Sequence, residues 1–185
     1  MPKWDNRFPQ RVRRGSSAGP SADVALKFSL VTLWLNGPFG VGKTAVARLV
    51  VERLPGARII DPERIGYVMR RTLWRGIDYQ GVALWRHLTV LRIRGAARKS
   101  PVVVPMTVVE PAVFDQVTAG ARVMALVASR EVIESRIGGS SEGQLWRRQN
   151  LDRCLEAFDG DDLGERIDTD GRGPAEVADM VLARL

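Results

Sequence analysis

Gly37-Pro38-Phe39-Gly40-Val41-Gly42-Lys43-Thr44 fits the pattern G-x-x-x-x-G-K-[ST], and its surroundings decide the fold. Upstream, residues 30–35 form a nearly continuous apolar run with Val31 and Thr32, the composition of a strand buried in a parallel sheet. Downstream, Val46, Leu49, Val50 and Leu54 recur at helical spacing until Pro55-Gly56. Strand, glycine-rich loop and helix in this order have a physical purpose. Glycines let the loop curl until successive backbone N–H groups point inward around an anion. The helix adds the positive end of its dipole. In such a loop Lys43 reaches the β- and γ-phosphates, and the Thr44 hydroxyl ligates Mg²⁺. Residues 37–44 are therefore the expected site for ATP or a similar nucleotide.

Further along, the apolar runs alternate with helical periodicities. Residues 57–60 predict a second strand ending at Asp61, and Asp61-Pro62 opens a helix carrying Ile65, Val68, Met69 and Thr72 on one face. A longer amphipathic stretch follows Tyr79, with Leu84, Leu88 and Leu91 as its apolar side. Val102, Val103 and Val104 centre a third strand, residues 112–117 a short helix, and residues 123–127 a fourth strand. Residues 131–137 read as a helix broken by Gly138-Gly139-Ser140-Ser141, and residues 145–158 as one further helix. A brief strand at 166–168 and a helix at 175–185, entered through Pro174, complete the chain. The expectation is an α/β fold: a five-stranded parallel sheet flanked by helices in three layers.

At 185 residues, 45% hydrophobic and 26% charged, the chain has the composition of one globular domain. The net charge of +7 is unevenly placed: residues 1–29 hold six basic and two acidic side chains, the remainder 22 and 19. Residues 1–29 read as a flexible basic arm, and residues 30–185 as the nucleotide-binding domain. This distribution argues against a pervasive nucleic-acid surface, while the arm leaves open a peripheral contact with acidic lipid. One cysteine and one histidine exclude an intramolecular disulfide and a Cys/His metal site. With no apolar run near the ~20 residues of a spanning helix, a cytoplasmic location is expected.

The remaining candidates flank the loop. The third strand ends Val104-Pro105-Met106-Thr107 without an acid, so the metal-holding Asp of GTPases and motor ATPases is missing there. Asp61, at the end of the second strand, is the better-placed carboxylate. It suits a substrate hydroxyl, a general base or water-bridged Mg²⁺, and equally a helix N-cap. Arg136 and Arg153 are the candidate phosphate ligands of a mobile cover, since a guanidinium grips phosphate oxygens and stays charged. Trp85 and Arg86, with Asp78, suit a ring-bearing polar substrate. His87 and Cys154 read as structural.

Trp34-Leu35-Asn36 running into the loop resembles the opening of the bacterial tunicamycin resistance family of P-loop proteins. So do Asp61-Pro62-Glu63-Arg64-Ile65-Gly66, Leu84-Trp85-Arg86 and Val104-Pro105-Met106-Thr107. The likeness continues through Ala128-Ser129-Arg130-Glu131, Arg136 and Trp146 to Asp152-Arg153-Cys154, spanning about residues 30–180. The element order is also similar to that of nucleoside monophosphate, shikimate and antibiotic kinases. The resemblance implies a nucleoside-monophosphate-kinase-like sheet and resistance to tunicamycin, a uridine-containing nucleoside with a fatty acyl chain. It implies Arg136 beside the nucleotide, Thr169 and Asp170 bordering the base, Arg153 on phosphate, and Asp61, Asp78, Trp85 and Arg86 facing the acceptor. One departure is Gly138-Gly139-Ser140-Ser141, where such kinases carry a second cover Arg.

Two functions follow as expectations. The first is an ATP- and Mg²⁺-dependent phosphotransferase acting on a hydroxyl of a nucleoside-like antibiotic or related small molecule, with Lys43, Asp61, Arg136 and Arg153 as its machinery. The second is ATP-gated sequestration of the drug, at the membrane face, without chemistry.

Overall fold

The computed structural model describes residues 31–63, 66, 79–138, 142–160 and 162–185. The basic arm, Asp78, most of the helix expected after Pro62 and Gly139-Ser140-Ser141 lie outside them. Five strands, β1 (Thr32–Asn36), β2 (Arg58–Ile59), β3 (Val102–Pro105), β4 (Arg122–Val127) and β5 (Glu165–Asp168), form one sheet in the order β2-β3-β1-β4-β5. Every pairing is parallel. The described helices are α1 (Lys43–Arg53), α2 (Ala83–Ala97), α3 (Pro111–Thr118), α4 (Arg130–Ile137), α5 (Glu142–Gln149), α6 (Leu151–Ala157) and α7 (Pro174–Leu182).

Alternation along β1 sorts the core into two layers. Leu33 and Leu35 face Val46, Ala47 and Val50 of α1 and Val177, Ala178 and Val181 of α7. Trp34 points to the opposite face, among Val102, Val104, Trp85, Ile93, Val113 and Val117, under α2 and α3. Strands buried on both faces explain the unbroken apolar runs.

Two expectations are corrected. The core side of α2 is Trp85, Thr89 and Ile93, whereas Leu84, Leu88 and Leu91 are exposed. Both sets have helical spacing. The larger Trp85 ring enters the core, where its indole N–H donates to the Pro62 carbonyl at 3.1 Å, and this fixes the rotation of the helix. The single helix expected at 145–158 is two, α5 and α6, divided at Asn150, whose φ of −104° and ψ of 7° leave the helical region.

Outward from β1 the chain turns toward β2, and outward from β3 it turns toward β4. The crevice between β1 and β3 is therefore the switch point where ligands of such sheets collect. Asn36 clasps it. Its fully buried amide donates to the carbonyls of Val108 (3.0 Å) and Leu163 (3.3 Å) and accepts from Val108 N–H (2.9 Å). Asn36→Ala leaves those buried backbone groups unpaired and is expected to cost about 2–4 kcal/mol, read from urea unfolding.

Candidate functional site

Residues 37–42 leave the end of β1 and curl into α1. Gly37, Gly40 and Gly42 have φ of 136°, 83° and 105°, in the region disfavoured for residues with a Cβ. The first bond into α1 runs from Val46 N–H to Gly42 O, and Gly42 supplies no side-chain cap. The N–H groups of that turn thus have no intrahelical acceptor and stand ready for an anion. A Cβ at Gly42 would meet nothing within 4 Å, which marks the open side of the cradle.

The loop satisfies its lysine from within. The Lys43 ammonium donates to the carbonyls of Gly37 and Pro38, both at 2.9 Å. Burial lowers its pKa from 10.5 to about 8, against the attraction of Glu63. Gly37 O also accepts from the buried Thr107 hydroxyl at 2.8 Å, so the end of β3 helps to shape the loop. Thr44 is exposed on the first turn of α1.

The loop tip touches the α4–α6 layer. Phe39 packs beside Ile133, Ile137 and Leu151. A Cβ at Gly40 would lie 2.8 Å from an Ile137 side-chain carbon. Cys154, buried on α6, accepts a hydrogen bond from the Phe39 N–H, and burial raises its thiol pKa. The cysteine expected to be only a small apolar residue is thus attached to the phosphate loop.

Asp61 Oδ1 accepts Glu63 N–H at 2.9 Å, and Gly66 N–H bonds to Pro62 O, which gives Asp61 the cap role. Glu63, beyond the cap, lies within electrostatic reach of Lys43, Asp61 and Arg147. Burial and the neighbouring Asp61 raise its pKa, with Lys43 and Arg147 opposing. Glu63 was not singled out from the sequence. Its position two residues after the strand-ending Asp61 was the available signal. Arg147 was not among the site residues either, yet its charge reaches both Lys43 and Glu63.

On the β4 side, the Arg136 guanidinium donates to Val41 O (3.2 Å), Thr169 Oγ1 (3.2 Å) and Thr169 O (3.3 Å), joining the loop to the β5 end. The Asp170 carboxylate accepts Ser129 N–H through both oxygens, at 3.0 and 2.9 Å. The two residues expected near a base thus border one loop pair with Arg136. Beside them, Val127, Ala128, Ser129, Arg166, Asp168 and Asp170 line an open cavity of about 470 Å³.

The expected acceptor residues divide. Trp85 is wholly buried and offers no face to a substrate, for the packing reason given above. Arg86 donates to the carbonyls of Gln80 and Gly81 and to the Gln116 side chain, holding the 3₁₀ turn Tyr79–Gly81. Gln80 in turn donates to Thr107 O at 3.1 Å, so this turn is tied to the loop through Thr107. Arg153 is exposed on α6 and has no ion pair among the described residues, whereas Arg130 bridges Asp152 at 2.6 Å.

The donors fit Mg²⁺ only in one manner. Among the described residues no group of three or more His, Cys, Asp or Glu converges. That suits an ion held mainly by nucleotide phosphates and water with the Thr44 hydroxyl, the habit of Mg²⁺.

Comparison with known proteins agrees with this geometry. Residues 33–158 match the sequence profile of the AAA domain. No curated protein matches the chain. Among solved structures, the chain is similar to the tunicamycin resistance protein of Deinococcus radiodurans, at 28% identity and TM-score 0.68, covering 83% of this chain and 94% of that one. The fold is shared with a gluconokinase from Sinorhizobium meliloti, at 18% identity and TM-score 0.61, over 83% and 90% of the two chains. It is shared too with a shikimate kinase from Acinetobacter baumannii, solved with shikimate, at 17% identity and TM-score 0.59, over 87% and 96%.

Proposed function

Because the chain belongs to the AAA-domain family and has a P-loop kinase-like fold, we propose that it is an ATP- and Mg²⁺-dependent phosphotransferase acting on a hydroxyl of a nucleoside-like antibiotic or related small molecule. The supporting observation is one juxtaposition: Glu63 stands within electrostatic reach of both the loop lysine Lys43 and Asp61, at the carboxyl edge of the sheet. The likeness to a tunicamycin resistance protein makes tunicamycin the first acceptor to try.

On this reading the N–H groups of residues 40–44 cradle the phosphates. Lys43 exchanges its two loop carbonyls for phosphate oxygens, which restores the charge that burial disfavours. Thr44 holds Mg²⁺, which when bound neutralises phosphate charge. Arg136, already fixed to Val41 and Thr169, borders the nucleotide base with Thr169 and Asp170. Arg153 approaches phosphate from α6. Asp61 orients the acceptor hydroxyl, and Glu63 takes its proton. That oxygen bonds to the γ-phosphorus as the bond from phosphorus to the ADP oxygen breaks. Glu63 suits the base role because burial raises its pKa above the ordinary carboxylate range. Asp78 belongs to the acceptor side by the resemblance alone, and Arg86 holds the 3₁₀ turn Tyr79–Gly81. Most of the rate comes from positioning and charge neutralisation.

The test is mass spectrometry of tunicamycin incubated with the protein, Mg²⁺ and ATP, with Lys43→Met as control. A drug heavier by one phosphate, formed only with Lys43 present, is the expected result. Unmodified drug that binds more tightly with ATP would replace this reading by sequestration. Neither change would exclude tunicamycin as the acceptor. Asp61→Asn and Glu63→Gln should each lower turnover about 10²–10⁴-fold while ATP affinity stays within a few-fold. The acid limb of the pH–rate profile should sit above the ordinary glutamate range and return toward it in Glu63→Asp.

A further inference from the structure

The outward face of α2 carries three of the four large hydrophobic side chains exposed among the described residues. From Ala83 to Ser100 the sequence carries Arg86, Arg92, Arg94, Arg98 and Lys99 and no acidic residue, a large share of the net charge of +7. Arg86 is occupied by the 3₁₀ turn. The other four have no ion-pair partner among the described residues, unlike Arg53, Arg122, Arg130, Arg172 and Arg184.

Between these cations lie Leu84, Leu88 and Leu91, exposed by 46%, 39% and 55%. At about 100° per residue the three leucines share an arc of roughly 60°, and Arg92 and Arg94 stand about 80° to either side of Leu84. The last turn continues the arrangement with Arg98 and Lys99, and Gly95 sits within the leucine arc without adding bulk. The stripe is therefore a convex apolar ridge flanked by long cationic side chains.

We infer that this face of α2 docks the protein on an anionic lipid surface, with the leucines in the acyl boundary and Arg92, Arg94, Arg98 and Lys99 among the headgroup phosphates. Lipid fits both halves of the pattern at once. Its apolar layer accepts a convex ridge without a matching groove, and its headgroup plane supplies anions on both sides of that ridge. A second copy fits poorly, because two-fold pairing through the leucines would set two unpaired cationic faces against each other. An acidic polypeptide would answer the cations and leave the ridge to find a groove.

The surface is independent of phosphoryl transfer, since none of these seven residues belongs to the nucleotide or acceptor machinery. The test is flotation of the full chain with vesicles of phosphatidylcholine alone, or with about a third phosphatidylglycerol. Binding to the anionic vesicles only, weakened by salt, is expected. Two variants probe it separately: Leu88→Ser with Leu91→Ser, and Arg92→Glu with Arg94→Glu. Each should weaken vesicle binding about tenfold or more with an unchanged circular dichroism spectrum and melting midpoint, because all four side chains are peripheral to the core. Four outcomes would overturn the inference. These are indifference to anionic vesicles, unchanged binding by both variants, a solution dimer that the leucine variant dissociates, and binding to polyglutamate in place of vesicles.

Discussion

Lys43→Met is expected to abolish nucleotide-dependent turnover and, at the same time, to stabilise the nucleotide-free protein near neutral pH. The first effect follows from removing the cation that neutralises the transferred phosphoryl group, a loss of about 10³-fold or more. The second follows from its burial. The folded state lowers the Lys43 pKa from 10.5 to about 8, so below pH 8 folding must keep an ammonium where it is disfavoured. That cost, on the order of 3 kcal/mol, is present in full at neutral pH. Between pH 8 and 10.5 the unfolded chain holds the proton that the folded chain releases, so wild-type stability rises with pH in that window. The advantage of the methionine variant should shrink across it. Thermal unfolding of both proteins at pH 7 and pH 10 measures this, and a variant less stable than wild type at pH 7 would contradict it. The same linkage makes ATP binding draw a proton into the protein near pH 8, visible calorimetrically in buffers of different ionisation heat.

Gly37→Ala should damage the fold more than Gly42→Ala, although both lie in the same loop. An added Cβ at Gly37 would stand 2.3 Å from the Leu126 carbonyl oxygen, and Leu126, next to last in β4, is paired with Ile167 of β5. Leu126 cannot move aside without disturbing the β4–β5 ladder. We expect a loss of about 3–5 kcal/mol, enough to leave little folded protein at physiological temperature. Gly42 has open space and a φ of 105°, so its replacement costs about 1–2 kcal/mol of backbone strain. Its methyl group instead stands at the open side of the cradle, and nucleotide affinity should fall further than stability. Melting curves paired with nucleotide titrations separate the two. Equal melting midpoints for the two variants would refute the argument.

The contrast between loop and helix faces shows where sequence reading succeeds. Residues 37–44 were legible because the loop's glycines, lysine and threonine are contiguous and their geometry is local. The inner strands β1, β3 and β4 were legible because strands buried on both faces have no polar side to interrupt them, whereas the short, largely exposed edge strands β2 and β5 were read from their place in the alternation. The burial of α2 was not legible. Leu84, Leu88 and Leu91 and Trp85, Thr89 and Ile93 have equally good helical spacing, and the choice rests on an indole whose acceptor, Pro62 O, lies 23 residues earlier. Asn36 was equally opaque, since its partners are 72 and 127 residues away. Glu63 differs from any surface glutamate only through what folding brings beside it.

The Asn36 clasp also bears on the order of events in a catalytic cycle. By joining Val108 and Leu163 to the end of β1, it keeps the floor of the β1–β3 crevice from opening. Above that floor, Phe39 of the phosphate loop rests on α4 and α6. If the chain transfers phosphate as proposed, the diphosphate product would leave a loop that is packed against these helices. Turnover would then be timed by an exit step, and solvent viscosity would slow it.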